Sequence, residues 1–219
     1  EGPSVEDSQW KQRYSVRRSY RQFGQQPVQM EQLASLLSGL REVELDGEPQ
    51  YRYGSAGGAY PVQTYLYLHP GRVSGIEGGL YYYHPAEHRL HPLSPQAEFD
   101  RSIHGWINQP IFDQAAFSIF FIAEIAAIGP FYGPVARDYC LIEAGLMSQL
   151  LEETAPHSGL GLCQIGVGGI DFESLRDHFQ LNESHLLVHS LMGGPIDQSL
   201  GKAAFTPAPL EQEWEEGKL

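Results

Sequence analysis

The sequence is poor in cysteine: Cys140 and Cys163 are the only two among 219 residues. Two thiols cannot build a disulfide framework, and with no CxxC spacing they do not form a zinc pattern. Such usage fits a reducing, cytoplasmic compartment. Positive charge is also scarce, with 14 Lys and Arg against 27 Asp and Glu, a formal charge of −13. That surface repels nucleic acid and anionic lipid, so neither is an expected partner. No hydrophobic run is long enough for a bilayer. The most apolar stretch, 115–127, carries Glu124 and reaches Gly129-Pro130 soon after, so it reads as a buried strand. The nine histidines show no HExxH spacing, and His84, His88 and His91 flank Pro85 in what reads as a solvated turn. No metal site is expected. There is no signal-peptide pattern, no internal repeat and no low-complexity tract.

What remains is an ordinary globular composition, 42% hydrophobic with 24 Gly and 15 Pro, long enough to bury a core and rich in turns. Residues 1–9 read as a flexible leader, 10–195 as one domain and 196–219 as a polar, acidic tail. A start at Glu rather than Met, with that leader and tail, suggests a domain excised from a longer protein.

Helices are expected over Trp10–Phe23, after Pro27, over 97–107, and over Asp138–Thr154. In the last, Leu141, Ala144, Gly145, Met147, Leu150 and Leu151 make one apolar face. A short helix at 172–178 has Asp171 as its cap. Strands are expected at VQTYLYL, GLYYYH, HRLHPL, FSIFFIAEIAA and HLLVHSLMGG. The stretches 44–61 and GLGLCQIGVGG read as loop and glycine-studded connection. The pattern implies an α+β or α/β layer around one mixed sheet.

Two segments carry chemistry. Lys11, Arg13, Arg17, Arg18 and Arg21 are five of the fourteen basic residues in eleven positions, with few acidic partners nearby. Guanidinium groups grip phosphate through paired hydrogen bonds, and Ser19 adds a neutral donor, so this is a candidate anion site. GSAGGAYP, residues 54–61, puts small residues before a strand, where backbone amides can approach a flat ligand closely.

The order RRSxRxF (17–23), SAGxxYP, a YG…R…EAG helix and then GLG resembles the nitroreductase-like flavoproteins. Within them it is similar to the SagB-type, or McbC-like, dehydrogenases, which oxidise thiazolines and oxazolines to azoles. The resemblance covers roughly 13–195. It implies an α+β nitroreductase-like fold, a central mixed but mainly antiparallel sheet flanked by helices, and a domain-swapped-type homodimer binding FMN in a cleft built by both subunits. By position, Arg17, Arg18 and Ser19 would hold the phosphate, and Arg21 would sit near the flavin N1/O2 edge, where a cation favours the reduced anion. Gly54, Ser55, Ala56 and Gly58 would reach the flavin from the partner subunit. Asn108, with Gln109, would face the pyrimidine edge, and Gln164, Ile165, Gly166 and Val167 the other face or N5 edge. Lys202 stands alone where many relatives have a Lys-x-Arg pair.

McbC-like enzymes have a Lys-Tyr pair here occupied by Phe131-Tyr132. The tyrosine remains, so Tyr132 is the candidate catalytic residue. A phenol of ordinary pKa, ~10, is a weak base at neutral pH, so a water, the flavin, or a histidine such as His157 are alternatives. Glu143 either orients active-site groups or pairs with an arginine, pairing being preferred. The resemblance implies an FMN-dependent oxidase acting on a thiazoline or oxazoline tethered to a carrier protein of a nonribosomal peptide synthetase. Molecular oxygen would be the electron acceptor. An NAD(P)H-dependent nitro or quinone reductase, or a non-catalytic partner-binding domain of the same fold, are the competing readings.

Overall fold

The computed structural model describes residues 18–197 and 199. Arg17, Lys202, the leader and most of the tail lie outside these. Chain order begins with helix α1 (Met30–Leu37), whose Leu33, Leu36 and Leu37 are buried at the expected spacing. A small hairpin follows, β1 (Val43–Leu45) and β2 (Glu48–Gln50), where the sequence suggested only loop. Asp46 and Gly47, both at positive φ, make its two-residue turn.

Six strands then build the main sheet: β3 (Val62–Leu68), β4 (Gly79–His84), β5 (Arg89–Pro95), β6 (Phe117–Glu124), β7 (Leu160–Ile165) and β8 (His185–Pro195). Their order is β5-β4-β3-β6-β8-β7. Every neighbouring pair is antiparallel, so the sheet is not mixed as the sequence suggested.

β6 runs through the middle, and alternation sends its side chains to two cores. Phe117, Ile119, Phe121 and Ala123 face α1 and helix α4 (Ala136–Thr154). Phe120 and Ile122 face helix α2 (Gln109–Phe112) and helix α5 (Phe172–His178). Burial on both faces explains why this strand reads as an unbroken apolar run. It ends at Glu124, and Ile125–Tyr132 is helix α3. The strand expected through Ala127 therefore stops short, because the Glu124 carboxylate accepts the Ala126 N–H and caps a helix start.

The edge strand β7 also departs from expectation, since GLGLCQI reads as a connection. Its glycine is needed for packing. A Cβ on Gly161 would lie 2.4 Å from the Tyr20 ring. A Cβ on Gly194 of β8 would lie 2.9 Å from Phe23. Residues 18–24 are thus a strap laid over a glycine floor, not the end of a helix. Tyr20 N–H donates to Leu162 O at 2.8 Å and Gly24 N–H to Pro195 O at 2.8 Å. Only Arg101–Ile103 of the stretch 97–107 forms a helical turn. In α4 the buried stripe runs through Cys140, Glu143, Ala144, Met147 and Leu151, while Leu141 and Gly145 face outward. This helix is apolar on two sides, so residue spacing alone does not choose between them. Asp171 caps α5 as expected, its carboxylate accepting the Ser174 N–H at 3.2 Å. Cys140 and Cys163 are free, buried thiols.

Among the described residues no helix is long and apolar enough to cross a membrane. None of their acidic, histidine or cysteine side chains gather as a metal site. His84 and His91 flank Glu87 on the surface, and His88 Nδ1 meets the Tyr83 hydroxyl at 2.8 Å.

Candidate active site

Three groups of candidate residues leave the same end of the sheet. The register pairs Val62 at the start of β3 with Ala123, Ala123 with Leu186, and Ser190 with Ile165. The loop before β3, helix α3 after β6 and the 164–167 segment after β7 therefore share one rim.

In the loop, Ser55 is extended and Ala56–Gly58 forms a tight turn, with Gly57 and Gly58 at φ 62° and 65°. A side chain at either would strain the backbone. Nothing lies within 4 Å of where a Cβ of Gly54 or Gly58 would be, so that side is open. A Cβ on Gly57 would sit 2.8 Å from the Tyr132 hydroxyl. The tyrosine and the glycine turn thus meet within one chain.

Tyr132 ends α3, stacked edge-on against Tyr139 with ring centroids 4.8 Å apart. Helix α3 is clamped at its other end. Glu124 bonds the Ser184 hydroxyl, and its second oxygen lies 3.2 Å from His185 Nε2. Phe131, at the position of the lysine in McbC-like enzymes, is 79% exposed. His157 is exposed at the far end of α4, a helix of 19 residues, which is about 28 Å long. Within one chain it is therefore not brought near Tyr132.

Glu143 is 2% exposed. It accepts the Val62 N–H at 3.1 Å and the Ser55 hydroxyl. Ser55 Oγ in turn accepts the Tyr60 N–H at 2.8 Å. Burial pushes this carboxyl up to about 7. No described arginine pairs with it. The preferred pairing is thus corrected: Glu143 reaches across from α4 to pin the glycine loop. A two-ended tether of this kind cannot be read from residue spacing.

On the opposite edge, the strap fixes Arg18, Ser19 and Arg21. Its register against β7 and β8 carries Ser19 and Arg18 toward the Gln164 end. Arg18 lies 4.5 Å over the Tyr20 ring. Arg21 is close enough to Cys163 to influence its thiol, which burial nonetheless pushes up to about 11. No described carboxylate pairs with Arg18 or Arg21. Two guanidinium groups on one strap of so acidic a chain are a donor set suited to a phosphate.

Asn108 and Gln109 begin α2. They approach the 166–169 turn because Gly105 N–H donates to Gly169 O and Asp171 N–H to Ile103 O. Gln109 Nε2 donates to His104 O at 3.0 Å. Gln164 is exposed, Ile165 buried, and Gly166 open at its Cβ position. Strands β3 and β7 are three places apart, about 14 Å at ordinary strand spacing. Within one chain the Gly54–Gly58 loop and the 164–167 segment are therefore not brought together.

A wholly antiparallel sheet with helices on both faces, an N-terminal arginine strap on one edge and a glycine loop on the shared rim defines an α+β fold. The Nitroreductase family model matches residues 14–194, and the chain belongs to that family. Two curated relatives are indigoidine synthases. That of Dickeya dadantii is 27% identical over 147 residues, which is 67% of this chain and 9% of the relative. That of Streptomyces lavendulae is 32% identical over 114 residues, 52% of this chain and 8% of the relative. The chain thus spans less than a tenth of the length of these relatives. Among solved structures, a chain of the Escherichia coli microcin synthetase McbBCD complex with truncated pro-MccB17 superposes with a TM-score of 0.67 at 16% identity, covering 79% of this chain and 66% of that one. A nitroreductase-type protein from Desulfovibrio desulfuricans in complex with FMN gives 0.56 at 15% identity, covering 91% and 93%.

Proposed function

We propose that this chain is an FMN-dependent azoline oxidase that converts a carrier-bound thiazoline or oxazoline to the thiazole or oxazole, as one domain of a longer peptide-assembling protein. The observation that carries the reading is the contact of Tyr132 with the Gly57 turn, at an end of the sheet shared with the Gln164–Val167 segment. The family membership, the fold shared with a microcin synthetase chain and the small share of the indigoidine synthases that is matched all support it.

Arg18 and Ser19, with Arg17, hold the phosphate through charge-assisted bonds, and Arg21 supplies positive charge to the ring's electron-rich edge. Asn108 and Gln109 contact the pyrimidine edge, and Gln164, Ile165, Gly166 and Val167 the ring beside it. FMN, when bound, is the two-electron acceptor, with molecular oxygen as the final oxidant. Aromatisation removes one ring hydrogen as a proton and one as a hydride, so the residues must place the azoline over the acceptor and carry the proton away. Tyr132 is the group at hand to hold or relay that proton.

A homodimer completes the site. Tyr139, Ile142 and Leu146 of α4, with Phe131 and Val135 beside Tyr132, form an outward apolar face, Ile142 being 60% exposed. A contiguous patch of this kind marks an interaction surface. The proposed pairing is one in which the Gly54–Gly58 loop of one copy would meet the 164–167 segment of the other.

The test is anaerobic mixing with a thioester-mimic thiazoline. Flavin bleaching with loss of two hydrogens from the substrate is expected, and Tyr132→Phe slows it with flavin occupancy unchanged. Rapid bleaching by NADPH and none by the thiazoline would replace this reading with a nitro or quinone reductase. A protein that takes up no FMN would point to a non-catalytic module.

A further inference from the structure

The glycine loop is preceded and followed by tyrosines that none of the roles above use. Tyr51, Tyr53 and Tyr60 pack as a cluster: Tyr51 and Tyr60 stack with centroids 4.0 Å apart, and Tyr53 sits edge-on to both at 5.4 and 5.7 Å. With Tyr82 and Tyr83 of β4 they wall a cavity of about 110 Å³, floored by Val62 and Thr64.

Tyr60 is held in an unusual state. Its φ is 45°, a conformation rare for a bulky residue, and the Ser55 Oγ bond to its N–H maintains it. Backbone strain at a non-glycine residue persists where the surroundings impose it, and it concentrates at binding sites. Here the strain turns the Tyr60 ring onto Tyr51 and closes one wall of the cavity.

The walls also define what fits. No cationic side chain lines the cavity. Two carboxylates lie beside it, and both are engaged: Glu42 by the Tyr51 hydroxyl at 2.5 Å and Glu143 by the Val62 N–H at 3.1 Å. Tyr83 donates to Leu37 O at 3.0 Å. The Tyr53 and Tyr82 hydroxyls have no partner among the described residues. Burial raises the pKa of both phenols, so they stay neutral and keep their protons. The lining therefore offers aromatic faces, two available O–H donors and the Gln63 carboxamide, whose Oε1 is already engaged by the Tyr65 hydroxyl at 2.8 Å. An apolar cavity of about 150 Å³ accepts benzene, which sets the scale for this smaller one at a single ring.

We infer that the tyrosine-walled cavity is a binding subsite for one small uncharged heteroaromatic ring with a hydrogen-bond acceptor, carried by the substrate beside the ring that reacts. Its link to the substrate rests on the oxidase reading, because Tyr53 and Tyr60 flank the loop whose Gly57 meets the Tyr132 hydroxyl. Its ligand chemistry does not.

The test titrates free thiazole into the protein, following tyrosine ring resonances by NMR, with toluene and tetramethylammonium as comparison probes. Saturable binding of thiazole is expected, at least threefold tighter than toluene, with tetramethylammonium weaker still. Tyr53→Phe should weaken thiazole three- to tenfold while leaving toluene unchanged. Tyr51→Leu, which opens the stacked wall, should weaken both rings at least tenfold. Absence of saturable thiazole binding, equal binding of thiazole and toluene, or preference for tetramethylammonium would each overturn the inference. FMN absorbance read in the same samples separates the two readings. Protein that binds FMN but not thiazole loses only the subsite. Protein that binds thiazole but not FMN loses the oxidase.

Discussion

The strap and the glycine loop, the two regions proposed to grip the cofactor, are held in place by opposite means. The strap is held by removal: Gly161 and Gly194 give up side chains so that Tyr20 and Phe23 can lie flat on the sheet edge. Its energy is burial, Phe23 being 1% exposed, and burying such a side chain is worth roughly 1.5–3 kcal/mol. The loop is held by addition: a buried carboxylate reaches in from α4 and collects the Ser55 hydroxyl and the Val62 N–H. The first device is indifferent to pH. The second is not, because its anchor titrates. A cofactor seated between the two would have one fixed wall and one adjustable wall.

The largest expected effect tests the adjustable wall. The Glu143 carboxyl is pushed by burial from 4.5 to about 7. Between those values the folded protein holds a proton that the unfolded chain has released. The stability from this group is therefore complete below pH 4.5 and is lost as pH rises through 7. At 1.36 kcal/mol per pH unit the loss is about 3 kcal/mol. Glu143→Gln keeps an acceptor for Val62 without a charge. Denaturant titrations should place it level with the parent near pH 5 and up to about 3 kcal/mol more stable at pH 8.5. A parent whose stability relative to Glu143→Gln does not fall over that range would show that burial does not raise this carboxyl, and the loop would not be the adjustable wall.

The fixed wall is tested through its charge. Arg18→Ala should leave stability within about 0.5 kcal/mol, since the side chain is only half-buried. It should weaken FMN binding by about 1.5–3 kcal/mol, the range for a charge-assisted hydrogen bond. Flavin fluorescence recovery on dilution reads this directly. Weakened stability with unchanged flavin affinity would reverse the assignment and make Arg18 a packing residue over Tyr20.

How far these walls were legible in the sequence follows from the same contrast. The arginine run and the SAGG turn are local signals, and both could be seen in order along the chain. The strands were legible wherever β-branched and aromatic residues alternate, as in VQTYLYL. GLGLCQI was missed because its glycines look like a turn, although Gly161 is there to admit Tyr20, a residue 141 positions earlier. The Ser55–Glu143 tether was missed for the same reason, as nothing near Glu143 in sequence announces its partner. The outward face of α4 was misassigned because both of its faces are apolar, and burial depends on the neighbours.

A smaller change separates the wall's floor from its charges. Gly161→Ala adds one methyl whose position lies 2.4 Å from Tyr20 Cγ and 2.8 Å from Tyr20 Cβ. Those atoms are near the backbone, so the ring cannot simply rotate away. The strap must lift, and with it the Tyr20 N–H bond to Leu162 O. Overpacking of this sort costs about 1–3 kcal/mol. Because Arg18, Ser19 and Arg21 ride on the same strap, FMN affinity should fall although no group proposed to touch the cofactor has changed. Stability and flavin affinity falling together in Gly161→Ala would tie the phosphate grip to the glycine floor. Flavin affinity intact in Gly161→Ala would mean that the arginines find their ligand without the strap's register, and the contrast between a fixed and an adjustable wall would no longer hold.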